Sequence, residues 1–160
     1  MSDIESRLQS MGLVLPEMPH VDASVRLPFE FVRIVGKRAF ISGHAPQRAD
    51  GTLAPPFGKV GSDLTVEEGY AAARLTTLAM LGSLKRALGE LDRVKNWCRI
   101  FGMVNSAPDF TMQPKVINGC SDLILELYGP ERGAHARSAV GMAELPFNIA
   151  VEIEAEVELA

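Results

Sequence analysis

From Val151 to Leu159 the chain alternates apolar residues with glutamates at every position: Val151, Ile153, Ala155, Val157 and Leu159 on one parity, Glu152, Glu154, Glu156 and Glu158 on the other. A two-residue period is that of a β-strand with one face against a core and one face polar. Such a strand must lie in a sheet, and its apolar face must be covered. The rest of the chain supplies candidates for both.

Thr65-Val66-Glu67-Glu68 is a capping-box signature, in which a threonine hydroxyl and a glutamate three residues on satisfy each other's backbone N–H groups. A helix is predicted to start there. Ala71, Leu75, Leu78, Ala79 and Gly82 follow at helical spacing, and Gly89 is placed to end it. A second long helix is predicted from Gln113 to Tyr128, with Pro114 tolerated in its first turn and Gly129-Pro130 as its stop. Phe31–Val35 and Ala39–Ser42, separated by Gly36-Lys37-Arg38, read as a hairpin, and Arg137–Ala143 as a strand before the last one. Asn96–Asn105 is also strand-like, with Cys98, Ile100, Gly102 and Val104 on one face and Trp97, Arg99, Phe101 and Met103 on the other. Large apolar groups on both faces imply cover on both sides, and a second subunit is the expected cover.

The order ββαβαββ is an α+β pattern, with two helices available to pack on one face of a mixed sheet. We expect one domain over residues 1–160, with a short helical extension over 1–13 capped by Ser2. Between His44 and Asp63, Pro46, Gly51, Pro55, Pro56, Gly58 and Gly61 break any regular element, so a long, shaped loop is expected.

Charge and composition narrow the partners. Twenty acidic residues against sixteen basic ones, with no Lys/Arg cluster, argue against a nucleic-acid partner. No stretch has the apolar length of a membrane span, and the N-terminus does not resemble a secretory signal. Cys98 and Cys120 lack metal or disulfide spacing, which fits a reducing, cytoplasmic setting. His20, His44 and His135 show no ligand spacing, so neither a metal nor a cofactor is expected.

Arg137 begins its strand with only Ala139, Gly141 and Ala143 as same-face neighbours, so little bulk would shield its guanidinium. Arginine binds carboxylates through two parallel charge-assisted hydrogen bonds and stays charged. A surface arginine would look the same in isolation, and a row of same-face glutamates is commonly just a solvated face.

Three segments resemble one family. Ala136-Arg137-Ser138-Ala139-Val140-Gly141, followed by Leu145-Pro146 and Val151-Glu152-Ile153-Glu154, is similar to the C-terminal signature of the RidA/YjgF family. Phe40-Ile41-Ser42-Gly43-His44-Ala45-Pro46 resembles its first signature, and Val116-Ile117-Asn118-Gly119 its Val-Asn segment. The resemblance spans residues 29 to 158. It implies a chorismate-mutase-like α+β fold, a homotrimer with clefts between subunits, and hydrolysis of reactive enamines or imines such as 2-aminoacrylate to a 2-oxo acid and ammonia. It further implies that Arg137 clamps the substrate carboxylate, that Glu152 positions or activates water, and that Ser42, Gly43, Ala139 and Asn118 shape the cleft. Phe29 stands where many members have a tyrosine, Ala139 where a cysteine is common and His44 where glutamine is usual. The alternative reading is a non-catalytic trimer that binds or senses a small carboxylate in the same cleft.

Overall fold

The computed structural model describes residues 2–160. Its centre is a five-stranded sheet formed by β1 (Val32–Val35), β2 (Arg38–His44), β3 (Val94–Asn105), β4 (Ala136–Met142) and β5 (Val151–Leu159). The spatial order is β1-β2-β5-β3-β4, so the alternating strand β5 is central. All neighbours are antiparallel except β3 and β4, which run parallel and are joined through a helix, as parallel neighbours require. The fold is the mixed α+β architecture expected, with α2 (Val66–Leu88) and α3 (Gln113–Arg132) packed on one face.

Local chemistry accounts for the helix ends. The Thr65 hydroxyl accepts the Glu68 N–H at 3.1 Å while the Glu68 carboxylate accepts the Thr65 N–H at 2.8 Å, completing the capping box. Gly89, at φ 87°, ends α2 in a conformation that side chains disfavour. In α3, Gly129 breaks the helix at φ 77°, ψ 175°, and one further turn follows through Arg132. That turn lies beyond the expected stop, because a proline at Pro130 can open a new helical turn as readily as it ends an old one. The first helix, α1 (Asp3–Ser10), is capped by Ser2, and its Ile4 and Leu8 are buried in the main core.

Close approach between layers depends on missing side chains. A methyl group on Gly102 would meet Ile117 at 2.6 Å, and one on Gly119 would run into the Tyr70 carbonyl of α2. The sheet can therefore carry α3 directly above β3, with α3 packed against α2. Val151, Ile153, Val157, Ile100 and Val104 fill the space between sheet and helices.

One face assignment differs from the sequence reading. Trp97 was expected beside Phe101 and Met103 on the second face of its strand. Instead β3 carries an irregularity between Trp97 and Arg99, which puts Trp97 on the opposite face from Arg99, Phe101 and Met103. Trp97 therefore pairs with Val157, is 1 % exposed, and packs edge-on against Tyr128 at 5.7 Å inside the core. Arg99, Phe101 and Met103 stay on the helix-free face, opposite Glu156, Glu154 and Glu152. Among the described residues, no helix is long and apolar enough to cross a membrane.

Candidate functional site

The sequence-predicted residues fall into two groups on different parts of the sheet. Phe29, Ser42, Gly43 and Glu152 gather around the end of β2, whereas Arg137, Ala139 and Asn118 gather where β4 meets α3.

The first group is built on a bulge. Between Ile41 and His44 the register of β2 against β5 shifts, so Ser42 and Gly43 leave the regular ladder. The Ser42 hydroxyl donates to the Glu30 carbonyl at 2.7 Å and its N–H to the Phe31 carbonyl at 2.9 Å, which ties the preceding segment to the strand. Gly43 lets the Glu152 side chain lie against the backbone: a β-carbon there would stand 2.5 Å from Oε2 and 3.0 Å from Cδ. Glu152 is half-buried and has no ion-pair partner among the described residues. Burial, with a smaller contribution from the nearby Glu154 charge, raises its carboxyl above the usual range. A carboxylate with a raised pKa is more basic, which suits it to accept a proton from water.

His44 holds this bulge from inside. Its Nδ1–H donates to the Ser42 carbonyl at 2.6 Å and its Nε2 accepts the Ser83 hydroxyl at 2.8 Å. The Ser83 oxygen in turn accepts from Arg86 at 3.1 Å, and Arg86 also reaches the Pro16 carbonyl at 3.1 Å. Burial, then the Arg86 charge, lowers the His44 pKa, so the ring is neutral and structural. On the outer side Phe31 stacks at a tilt on His44 at 5.6 Å, and Phe29 meets Phe31 edge-on at 5.8 Å.

In the second group, Arg137 pairs with Ile100 and Ala139 with Gly102, both core-facing positions of β3. Arg137 therefore points to the helix side, where its guanidinium donates to the Ser121 hydroxyl at 3.0 Å and to the Pro114 carbonyl at 3.3 Å. Asn118, half-buried, lies on the same face of α3, one turn from each of those residues. Among the described residues Arg137 is in no ion pair, so its positive charge is uncompensated.

Sequence reasoning overlooked the residues that hold this arginine. His135 Nδ1–H donates to the Gly133 carbonyl at 2.7 Å, which leaves Nε2 to accept the Ser121 hydroxyl at 2.9 Å. Ser121 can then accept from Arg137 without competition. The available signals were Ser121 three residues after Asn118, and His135 two residues before Arg137.

Within one chain the two groups do not meet. Glu152 pairs with Met103 on the helix-free face, while Arg137 faces the helices from β4, two strands away. At about 4.8 Å per strand, that lateral separation is about 10 Å, and Ser42 on β2 is one strand further.

The whole chain matches known proteins. A family model described as "YjgF/chorismate mutase-like, putative endoribonuclease" matches residues 5–157. Protein TCP17 of Trypanosoma cruzi is 43 % identical over 158 residues, which cover 98 % of this chain and 94 % of that protein. The crystal structure of a "putative endoribonuclease" from Shewanella oneidensis superposes with a TM-score of 0.88 at 38 % identity, covering 99 % of this chain and 100 % of that one. The Agrobacterium tumefaciens protein Atu1372, of unknown function, gives 0.85 at 39 % identity, with 98 % and 92 % covered. E. coli TdcF, solved with bound serine, shares the fold at a TM-score of 0.60 and 19 % identity, with 92 % and 98 % covered. On this family match and on relatives near 40 % identity along its whole length, the chain belongs to the YjgF/chorismate-mutase-like family.

Proposed function

We propose that this protein hydrolyses small enamine or imine intermediates carrying a carboxylate to 2-oxo acids and ammonia, in clefts between the subunits of a cytoplasmic homotrimer. One observation carries the reading: among the described residues Arg137 and Glu152 are each without an ion-pair partner, burial raises the Glu152 carboxyl above its ordinary value, and the two lie on opposite faces of one sheet. Each is half of a site. Contact between subunits can bring Arg137 of the partner subunit to the cleft that contains Glu152. The sheet face without helices, where Phe40 and Phe101 lie among Arg99, Glu154 and Glu156, gives such contact a partly apolar surface.

In the proposed step, Arg137 and Asn118 orient the substrate carboxylate and Glu152 accepts a proton from water. The water oxygen bonds to the imine carbon as that carbon's second bond to nitrogen shifts onto nitrogen, which takes up a proton. From the resulting tetrahedral carbon the hydroxyl proton passes by way of Glu152 to nitrogen, and the C–N bond breaks with its electron pair leaving on nitrogen as ammonia while the oxygen's pair closes the carbonyl of the 2-oxo acid. Ser42 and Gly43 keep the carboxylate of Glu152 and the cleft wall in register. Bound serine in TdcF, an amino acid with a carboxylate, is consistent with this ligand class.

A non-catalytic carboxylate binder is favoured by a single feature, Phe29, whose ring lacks the hydroxyl found in many members. The test generates imino acids with an amino-acid oxidase and follows their hydrolysis with the parent, Glu152→Gln and Glu154→Gln proteins, after light scattering has established the oligomeric state. Loss of turnover in Glu152→Gln alone supports the deaminase. Carboxylate binding without turnover in the parent supports the binder, and a monomer at micromolar concentration overturns the intersubunit cleft.

A further inference from the structure

A cavity of about 510 Å³ opens beside Gly43, between segment 19–31, the end of β2 and the long loop. Gly43 is a common wall: it borders this cavity and also lies against the Glu152 carboxylate. The lining is mainly apolar, contributed by Val25, Leu27, Phe29, Phe31, Leu53 and Phe147. Among the described residues no lysine or arginine lines it, whereas the Asp22 carboxylate does, so a substrate carboxylate is not held here.

The volume exceeds what a three-carbon substrate needs. An apolar cavity of about 150 Å³ takes up a benzene ring, and this one is more than three times as large. Two further features point to an occupant. Gln47, 5 % exposed in the wall, has an Oε1 with no hydrogen-bond partner among the described residues, an uncommon state that an occupant or a water trapped with it can relieve. Phe147 and Asn148 both sit at φ 57°, a left-handed backbone that non-glycine residues adopt at an energetic penalty, and this turn sets an 80 % exposed phenylalanine at the cavity's edge.

We propose that the cavity receives the substrate's side chain, and that this protein acts on imines and enamines of amino acids with bulky apolar side chains, branched aliphatic or aromatic, in preference to three-carbon ones. The assignment rests on the deaminase reading for its chemistry and on the cavity for its selectivity.

The test compares kcat/KM for imino acids generated from leucine, phenylalanine and alanine, in the parent and in Val25→Trp. Val25 is largely exposed, so the indole can occupy the cavity without disturbing the core, and a thermal melt verifies folding. The parent should favour the leucine and phenylalanine imines on the order of 10²-fold, the scale at which added methylene groups discriminate substrates in apolar pockets. Val25→Trp should reduce that ratio about tenfold or more. Equal kcat/KM across the three imines, or an unchanged ratio in the variant, overturns the proposal. If no imine is hydrolysed at all, the deaminase reading fails separately, and calorimetry then decides the cavity's role. Tighter binding of 4-methyl-2-oxopentanoate than of pyruvate, lost in Val25→Trp, supports it, and equal binding refutes it.

Discussion

Replacing Gly43 with alanine should inactivate the protein at small expense to its fold, because the three atoms nearest the added methyl all belong to one flexible side chain. Its β-carbon would stand 2.5, 3.0 and 3.2 Å from Oε2, Cδ and Cγ of Glu152, and the backbone there is not in the left-handed region. Glu152 must swing away, at about 0.5–1.5 kcal/mol for a side chain forced off its preferred rotamer. In a chain of 160 residues that corresponds to a fall in melting temperature of roughly 1–6 °C. The displaced carboxylate can no longer serve water, so kcat/KM should fall on the order of 10²–10⁴-fold. A double-mutant cycle isolates the cause: Glu152→Ala removes all three contacting atoms, so adding Gly43→Ala to it should change neither stability nor residual activity. Calorimetric melts and steady-state imine hydrolysis on the four proteins provide the readout. Parent-level turnover in Gly43→Ala, or losses that add in the double variant, would refute the placement of Glu152 as the working base.

Arg137→Lys keeps the charge but loses the planar fork, so 2-oxo acid affinity measured by calorimetry should weaken by about 1.5–3 kcal/mol, with little change in folding. Ser121→Ala removes one acceptor from Arg137 and the hydroxyl facing His135, and should weaken the same affinity by about 1 kcal/mol. Glu152 has a folded-state pKa above its ordinary value of 4.5, so from that pH upward to the raised value the folded chain holds more proton than the unfolded one. Stability is therefore lost as pH rises through that window, and Glu152→Gln should flatten the decline in melting temperature between pH 4 and pH 8.

Much of the fold was legible because its signals are local. The Thr65/Glu68 pair specifies a helix start by itself, and the run from Val151 to Leu159 declares both its strand and its buried face. Trp97 lies off its expected face because an irregularity of β3 between Trp97 and Arg99 shifts parity, and no residue type there announces it. Arg137 and Glu152 were recognisable from family motifs. Their separation was not, since it depends on strand order and on the register of β4 against β3. Ser121 and His135 escaped notice for a related reason: their meeting requires a helix and the start of a strand to be packed together, which no spacing along the chain reveals.

The location of Arg137 and Glu152 on opposite faces has a genetic counterpart. If each cleft draws one half from either subunit, an Arg137→Ala chain and a Glu152→Gln chain are each inactive alone but not equivalent. Co-expressed in equal amounts, they form mixed assemblies in which each half of a cleft is intact about half the time, so about one quarter of the clefts are wholly intact. Two dead alleles would then restore activity together, whereas a chain carrying both substitutions would rescue neither.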